Sequence, residues 1–275
     1  ILSGSTKAFT GSEPPTNPPV ESRTSLRTVA IFPQIADGGG FVSEIFLTNS
    51  GAFEDRGRIL IRDGEGNPLT LLIGGVSRNS IAYTLPPGGA LKIETDGAGN
   101  TKTGYVLVET NDGEAAISGS IVYSFSGFEV SVPNSPPTDE SHVLVEKTSS
   151  ADSGIAVANL ATGPLSIDVF ILNEDGDQVD EATIELEGGQ HKAQFISEIF
   201  DGLGSDLLGT FHARSGDAFA ILGLRQKSSG SLATLSGAFG TSVLSGTLVG
   251  PGGGQISSPG GDLVLTIPSG ALAES

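Results

Sequence analysis

The sequence contains no cysteine, methionine or tryptophan among its 275 residues. The absence of cysteine excludes disulfide bonds, thiolate nucleophiles, iron–sulfur clusters and cysteine-bound zinc. Basic residues are also scarce, since 14 Lys and Arg face 32 Asp and Glu, which gives a net charge of −18. A surface this acidic repels phosphate, so we expect no nucleic-acid partner. The longest nearly uninterrupted apolar run, Ala218 to Leu224, is far shorter than the roughly 20 residues of a transmembrane helix, so we expect no membrane span.

Motifs of known catalytic chemistry are missing as well. The three histidines, His142, His191 and His212, show no metal-binding spacing such as H-x-H or H-x-x-x-H. There is no nucleophile elbow, P-loop or dinucleotide fingerprint. The strands that carry His191 and His212 could be neighbours, but we interpret both histidines as ordinary surface residues. Among 32 acidic residues some pair could always serve as the two carboxylates of a glycosidase. However, the chain has no tryptophan and only three tyrosines on which a sugar ring could stack. We therefore predict that the protein is not an enzyme.

Glycine and proline dominate what is present, with 40 and 15 residues respectively. Six Asp-Gly dipeptides separate short apolar runs of strand length, such as Phe41–Asn49 and Ser80–Leu85, and Asp-Gly is a strong turn signal. This pattern predicts an all-β fold of two tandem antiparallel β-sandwich domains, with an extended N-terminal arm and a C-terminal strand. Alternation along the first run places Ile45 and Leu47 in the core. Residues 195–203 have apolar side chains at helical spacing and predict a short helical plug.

The second half of the chain repeats the first. FVSEIFLTNSG (41–51) resembles GIAVANLATGP (154–164), and RDGEGNPL (62–69) resembles LNEDGDQV (172–179). Two further matches align Gly88-Gly89 with Gly188-Gly189 and Gly119 with Gly223. Collinear matches of this kind indicate a tandem duplication, with the boundary in the Pro-rich stretch 134–140. The predicted divisions are a Pro-rich arm or linker (1–25), a first sandwich (26–137), a second sandwich (138–240), and a Gly-rich linker with a terminal strand (241–275).

One turn has oxygen ligands at alternate positions. Asn173, Asp175 and Asp177 surround Gly176 and resemble the first half of a calcium loop, which predicts at best a weak Ca²⁺ site. Ile184 stands where the bidentate Glu of a complete loop would fall. The alternative interpretation is an acidic hairpin turn in solvent. Apart from weak calcium we expect no cofactor.

The C-terminal strand is apolar on both faces. Leu263, Leu265 and Ile267 alternate with Val264 and Thr266, behind a Gly-rich tether. Such a strand is stable only when it is paired and covered. We predict that Leu263, Val264, Leu265 and Ile267 form an interface by adding to a sheet edge of another copy, which favours open-ended filaments. The alternatives are that the strand folds back onto its own domain, or that it is the stub of a cleaved module.

Two resemblances follow from these segments. The tandem units, opening with IFPQIADGGGFVSEIFLTNSG (31–51), resemble β-sandwich repeats of secreted bacterial proteins of uncharacterised function, over about residues 28–240. The segment GGGQISSPGGDLVLTIPSGALAE (252–274) resembles the start of a ZU5 module, of which only the first one or two strands are present. The resemblances imply an extracellular β module of interaction type and carry over no catalytic residue.

These observations lead to one expectation about function and one alternative. Since even position 1 is not methionine, we expect a processed chain that is secreted, extracellular or attached to the cell surface. We predict a non-catalytic structural or assembly protein that self-associates through strand addition into a surface polymer or filament. The alternative is an extracellular adhesion module that binds carbohydrate, such as a polysaccharide, or calcium.

Overall fold

The computed structural model describes residues 26–111, 116–235, 237–239, 254–257 and 264–268. The predicted arm, residues 1–25, lies outside the described residues. In the described part, helix is confined to α1 (Ile196–Ile199), so the all-β prediction is confirmed.

The strands of the first half are β1 (Arg27–Asp37), β2 (Val42–Asn49), β3 (Asp55–Arg62), β4 (Leu71–Ile73), β5 (Val76–Arg78), β6 (Ser80–Leu85), β7 (Ala90–Glu94), β8 (Lys102–Thr110), β9 (Ile117–Phe125) and β10 (Phe128–Pro133). Those of the second half are β11 (Thr138–Lys147), β12 (Ala151–Asn159), β13 (Leu165–Asn173), β14 (Gln178–Leu186), β15 (His191–Phe195), β16 (Leu207–Lys227), β17 (Leu232–Leu235), β18 (Ala238–Phe239), β19 (Gly254–Ser257) and β20 (Val264–Ile267).

Strands β1 to β10, here called repeat one, form an antiparallel β-sandwich. One sheet has the order β1-β8-β3-β6 and the other β10-β9-β2-β7, while β4 and β5 form a small separate hairpin. Ile45 and Leu47 on β2 are completely buried between the sheets, as the sequence alternation predicts.

Strands β11 to β18, here called repeat two, have the same topology. The first half of β16 lies between β11 and β13, and β14 follows β13. The second half of β16 lies between β12 and β17, and β15 follows β12. This order reproduces both sheets of repeat one strand for strand. The prediction of two tandem antiparallel sandwiches is therefore confirmed.

The two repeats differ in one connection. Repeat one has separate strands β8 and β9, whereas repeat two has a single 21-residue strand, β16, that serves both sheets. The segment from Gly104 to Ile117 is three residues longer than its counterpart from Gly209 to Phe219. Both glycines lie close to the neighbouring strand, because a Cβ on Gly104 or Gly209 would come within 1.8 or 2.0 Å of a carbonyl oxygen.

The register corrects two of the glycine matches. Gly119 lies opposite Leu47, whereas Gly223 lies opposite Ile155, so these glycines are two residues out of register with each other. The match of Gly88-Gly89 with Gly188-Gly189 is out by one, since it is Gly88 and Gly189 that share a positive φ, of 69° and 73°. A glycine that recurs in both repeats can thus mark a close approach between backbone strands near that place, without occupying the equivalent position.

Helix α1 closes one end of repeat two. The carboxylate of Glu198 accepts a hydrogen bond from the backbone N–H of Phe195 at 2.7 Å and so caps the helix N-terminus. Ile196, Phe200 and Leu203 are buried in the core of repeat two. The predicted helical plug is confirmed as a packing element.

The repeats pack directly on each other. Ala156 and Leu222 point away from the core of repeat two and belong to the core cluster of repeat one. The Pro-rich boundary stretch is fixed by hydrogen bonds to both repeats: the Ser135 backbone N–H donates to the Ile31 carbonyl at 2.8 Å, and the Ser135 hydroxyl donates to the Ile221 carbonyl at 3.1 Å. This part of the chain is therefore a hydrogen-bonded junction in which Ser135 is buried and Pro136 and Pro137 are exposed.

The C-terminal strand β20 pairs with β19 in an antiparallel two-stranded sheet. Val264, Leu265 and Ile267 belong to β20, and Leu263 lies outside the described residues. One edge of the strand is thus occupied within the chain. Addition to another copy stays a prediction, and the unit that would add is a hairpin.

Candidate functional site

The outer face of repeat two carries a row of aromatic rings across three strands. His142 on β11 lies directly opposite His212 on β16, and Phe170 on β13 lies opposite His212 on its other side. Glu140 precedes His142 by two positions and therefore faces the same side of the strand. The strand pairing brings together residues that are far apart in the sequence.

Glu140, His142 and His212 converge on one point. The Oε1 atom of Glu140 lies 2.8 Å from Nε2 of His212 and 3.7 Å from Nε2 of His142. The two imidazole rings are stacked, with centroids 4.1 Å apart and planes 10° apart. The potential ligand atoms of all three residues lie within 4.8 Å of one another, and no other such trio of His, Asp and Glu occurs among the described residues. This trio is the candidate functional site.

Each member of the trio is partly accessible. The exposed side-chain fractions are 44% for Glu140, 40% for His142 and 18% for His212. Partial burial and the neighbouring His212 lower the pKa of His142, against the opposing effect of the Glu140 carboxylate. The lowered pKa favours the neutral form of His142 at pH 7, and a neutral imidazole is the form that binds metals.

An arginine extends the row beyond the trio. The Arg214 guanidinium carbon lies 4.8 Å from the centroid of Phe170, within cation–π range. The Nε atom of Arg214 lies 3.8 Å from Oδ2 of Asp168. Because both charged groups are more than half exposed, this ion pair contributes little stability.

Sequence reasoning missed this trio. The suggestion that the strands of His191 and His212 are neighbours is wrong, because the structure pairs His212 with His142 and places His191 on a strand that pairs with β12. The sequence alone does not reveal that β11, the first strand of repeat two, pairs with β16. The usable signal was the spacing Glu140-x-His142, which puts a carboxylate and an imidazole on one face of a strand.

The interpretation of His191 as a surface residue is wrong, because this side chain is buried at the junction of the repeats. Its backbone N–H donates to the Gly64 carbonyl at 2.8 Å, and its ring stacks on Tyr105 with centroids 5.7 Å apart. The ring hydrogen-bonds to the Pro33 backbone, which can only accept because proline has no N–H. The Nε2 atom is buried without a partner, and burial lowers the pKa of His191 to about 4. His191 thus joins the repeats as a neutral side chain.

The predicted calcium residues form a hairpin turn. The Asn173 side-chain oxygen accepts hydrogen bonds from the backbone N–H groups of Asp175 and Asp177, at 3.0 and 2.9 Å. Asp63 accepts two equivalent bonds in repeat one, which shows that this oxygen holds the turn in both repeats. The carboxylates of Asp175 and Asp177 remain available, and weak calcium binding stays a prediction.

A second surface feature is an aromatic turn in repeat one. Phe125 and Phe128 flank the β9–β10 hairpin turn and are 37% and 40% exposed. Phe41 stacks on Phe125 with ring centroids 4.3 Å apart. Together these three rings form the aromatic turn patch.

Comparisons with known proteins identify no family for this chain. Neither a scan against models of protein families nor a search of curated proteins found a significant match. None of the described residues belongs to a helix with the length and apolarity that crossing a membrane requires.

Proposed function

We propose that the protein is a non-catalytic structural protein, secreted or attached to the cell surface, that assembles into linear polymers. The observation that carries this proposal is the packing of repeat one on repeat two. Two copies of one fold here use different surfaces to contact each other. Such head-to-tail contacts extend into open arrays unless the rotation between units happens to close a ring.

The two surfaces can be traced residue by residue. Repeat two contributes the outer face of β12 and β16, which includes Ala156 and Leu222. Repeat one receives these two side chains in its own core cluster. Its outer sheet face, which carries Ile31 and Tyr105, meets the loops of repeat two, where the Tyr105 hydroxyl donates to the Gly189 carbonyl at 2.7 Å. Ile31 lies opposite Leu107, and His142 lies opposite His212. Because Leu107 and His212 are equivalent in the two repeats, His142 is the counterpart of Ile31. Ile31 is 2% exposed, whereas the side chain of His142 is 40% exposed. Repeat two therefore presents, uncovered, the counterpart of a surface that repeat one uses for packing.

The C-terminal hairpin supplies a means of extension. An isolated two-stranded hairpin is at best marginally stable, so β19 and β20 gain by joining a larger sheet. Strands β6 and β14 each end their sheet, and edge strands present backbone groups for pairing. Addition of β20 to such an edge in a neighbouring copy would link copies by main-chain hydrogen bonds.

The test compares two deletions of nearly equal size. We expect the full chain to form species whose mass in light scattering rises with concentration, with linear polymers in electron micrographs. Removal of residues 252–275 should leave a monomer, whereas removal of residues 1–25, the matched control, should leave assembly intact. Salt should promote assembly, because it screens repulsion between copies of net charge −18. A full chain that stays monomeric would refute the assembly role, and unchanged polymers without residues 252–275 would refute strand addition.

The aromatic turn patch favours a second candidate, adhesion to a polysaccharide. Exposed rings offer flat apolar faces on which sugar rings can stack. Retention of the full chain on a glycan array should then be lost in the double variant Phe125→Ala/Phe128→Ala. The variant Phe53→Ala removes an exposed ring outside the patch, which is 66% exposed, and should retain binding. Equal retention of all three proteins would reject this candidate.

A further inference from the structure

We infer that Glu140, His142 and His212 form a binding site for a divalent transition-metal ion of the zinc, copper or nickel class. The inference concerns repeat two alone and holds for a single chain, whether or not copies assemble. It depends on three observations: the convergence of the ligand atoms, the chemistry of the donor set, and the comparison with repeat one.

The spacing of the three potential ligand atoms is close to the spacing around a single metal ion. Zinc–nitrogen bonds are about 2.0–2.1 Å, so two imidazoles on one tetrahedral ion place their nitrogens about 3.3 Å apart. The rings of His142 and His212 already lie nearly parallel, with centroids 4.1 Å apart. Their Nε2 atoms both face the same oxygen of Glu140. Small side-chain rotations would therefore bring two nitrogens and one oxygen onto a common ion.

The donor set decides the class of ion. Imidazole nitrogen suits zinc, copper and nickel, whereas calcium and magnesium prefer sites made entirely of oxygen. Two imidazoles and one carboxylate leave a fourth position for water or for a group from another molecule. Residues 138–240 contain 16 acidic and only 5 basic residues, so the surrounding potential attracts cations.

Repeat one serves as an internal control for what the fold itself needs. At the positions of His142, His212 and Phe170, repeat one has Ile31, Leu107 and Leu60, paired in the same register. The same sheet therefore forms with aliphatic side chains at these places. The two histidines of repeat two are not required for strand pairing, and they put two of the three histidines of the chain side by side.

The first test is a zinc titration of the full chain by calorimetry after treatment with a chelator. We expect one zinc ion per chain, with at least tenfold weaker binding in His142→Gln and in His212→Gln. Glu140→Gln should also weaken binding, whereas Glu181→Gln, on the same sheet face next to Phe170, should bind as the wild type does. Calcium at the same concentration should give no binding that depends on the histidines.

The second test needs no variant and so does not depend on their folding. With only three histidines, the ring signals are readily resolved by NMR. Zinc should shift or broaden the signals of His142 and His212 and leave His191, buried at the junction, unchanged. Absence of binding by the wild type, wild-type affinity in both histidine variants, or unshifted signals of His142 and His212 would each overturn the site.

Discussion

Acid should loosen the junction between the repeats through His191. The pKa of this buried side chain is lowered from 6.5 to about 4, chiefly by desolvation. Between these values the unfolded chain binds a proton on His191 and the folded chain does not. Stability must therefore fall as the pH is lowered through this window. A change in pKa of this size corresponds to a loss of about 3 kcal/mol in the free energy of unfolding. The loss is complete below about pH 4, and there is no loss well above pH 6.5.

The measurement is urea unfolding of the wild type and of His191→Gln at several pH values between 7 and 4. Carboxylates titrate in the same range, so the informative quantity is the difference in pH dependence between the two proteins. A glutamine side chain keeps an N–H donor but carries no titratable proton. We expect the wild type to lose about 3 kcal/mol more than the variant over this range.

An NMR titration of His191 tests the same reasoning directly. Its ring signals should not titrate until the pH approaches 4, where unfolding competes with protonation. A midpoint near 6.5 in the folded protein would refute the argument. So would equal pH dependence of the wild type and His191→Gln, because the proton would then not be linked to unfolding.

Four further outcomes are expected in stability and binding assays. Truncation of Leu47 to Ala should cost about 2–5 kcal/mol in urea unfolding, because the side chain is fully buried. Asn159→Ala should cost about 1–3 kcal/mol by the same assay, because it leaves the buried Leu186 carbonyl and several partly buried loop groups without their hydrogen bonds. Gly209→Ala should lower the melting temperature measured by circular dichroism, since its Cβ would lie 2.0 Å from a carbonyl oxygen. Millimolar calcium should raise the melting temperature slightly, and no longer do so in Asp175→Asn/Asp177→Asn; no shift in the wild type would leave these residues as turn residues only.

The duplication was predictable from sequence because some residues have the same local task in both repeats. Asn49 and Asn159 each donate from their amide to loop carbonyls, and each accepts a backbone N–H two residues later. These bonds depend on the residue itself and its near neighbours in sequence. Matching asparagines therefore indicate matching loops.

Register and the candidate site depended on information that local patterns do not contain. Gly119 and Gly223 both relieve close contacts, but with different neighbours, Phe46 in one case and Val143 in the other. Likewise, the pairing of His142 with His212 joins the first strand of repeat two to a strand 70 positions later. Only the order of strands in the sheet places these rings together, and alternation within a strand does not determine that order.

The burial of Ala156 and Leu222 against repeat one also bears on how such a chain can be inherited. A copy cut out by recombination at the junction would expose an apolar sheet face, and the copy left behind would lose part of its core. Gain or loss of single copies would thus produce poorly folded intermediates, whereas transfer of the pair would not. The pair, rather than either sandwich alone, is the unit that gene fusion can move intact between longer proteins.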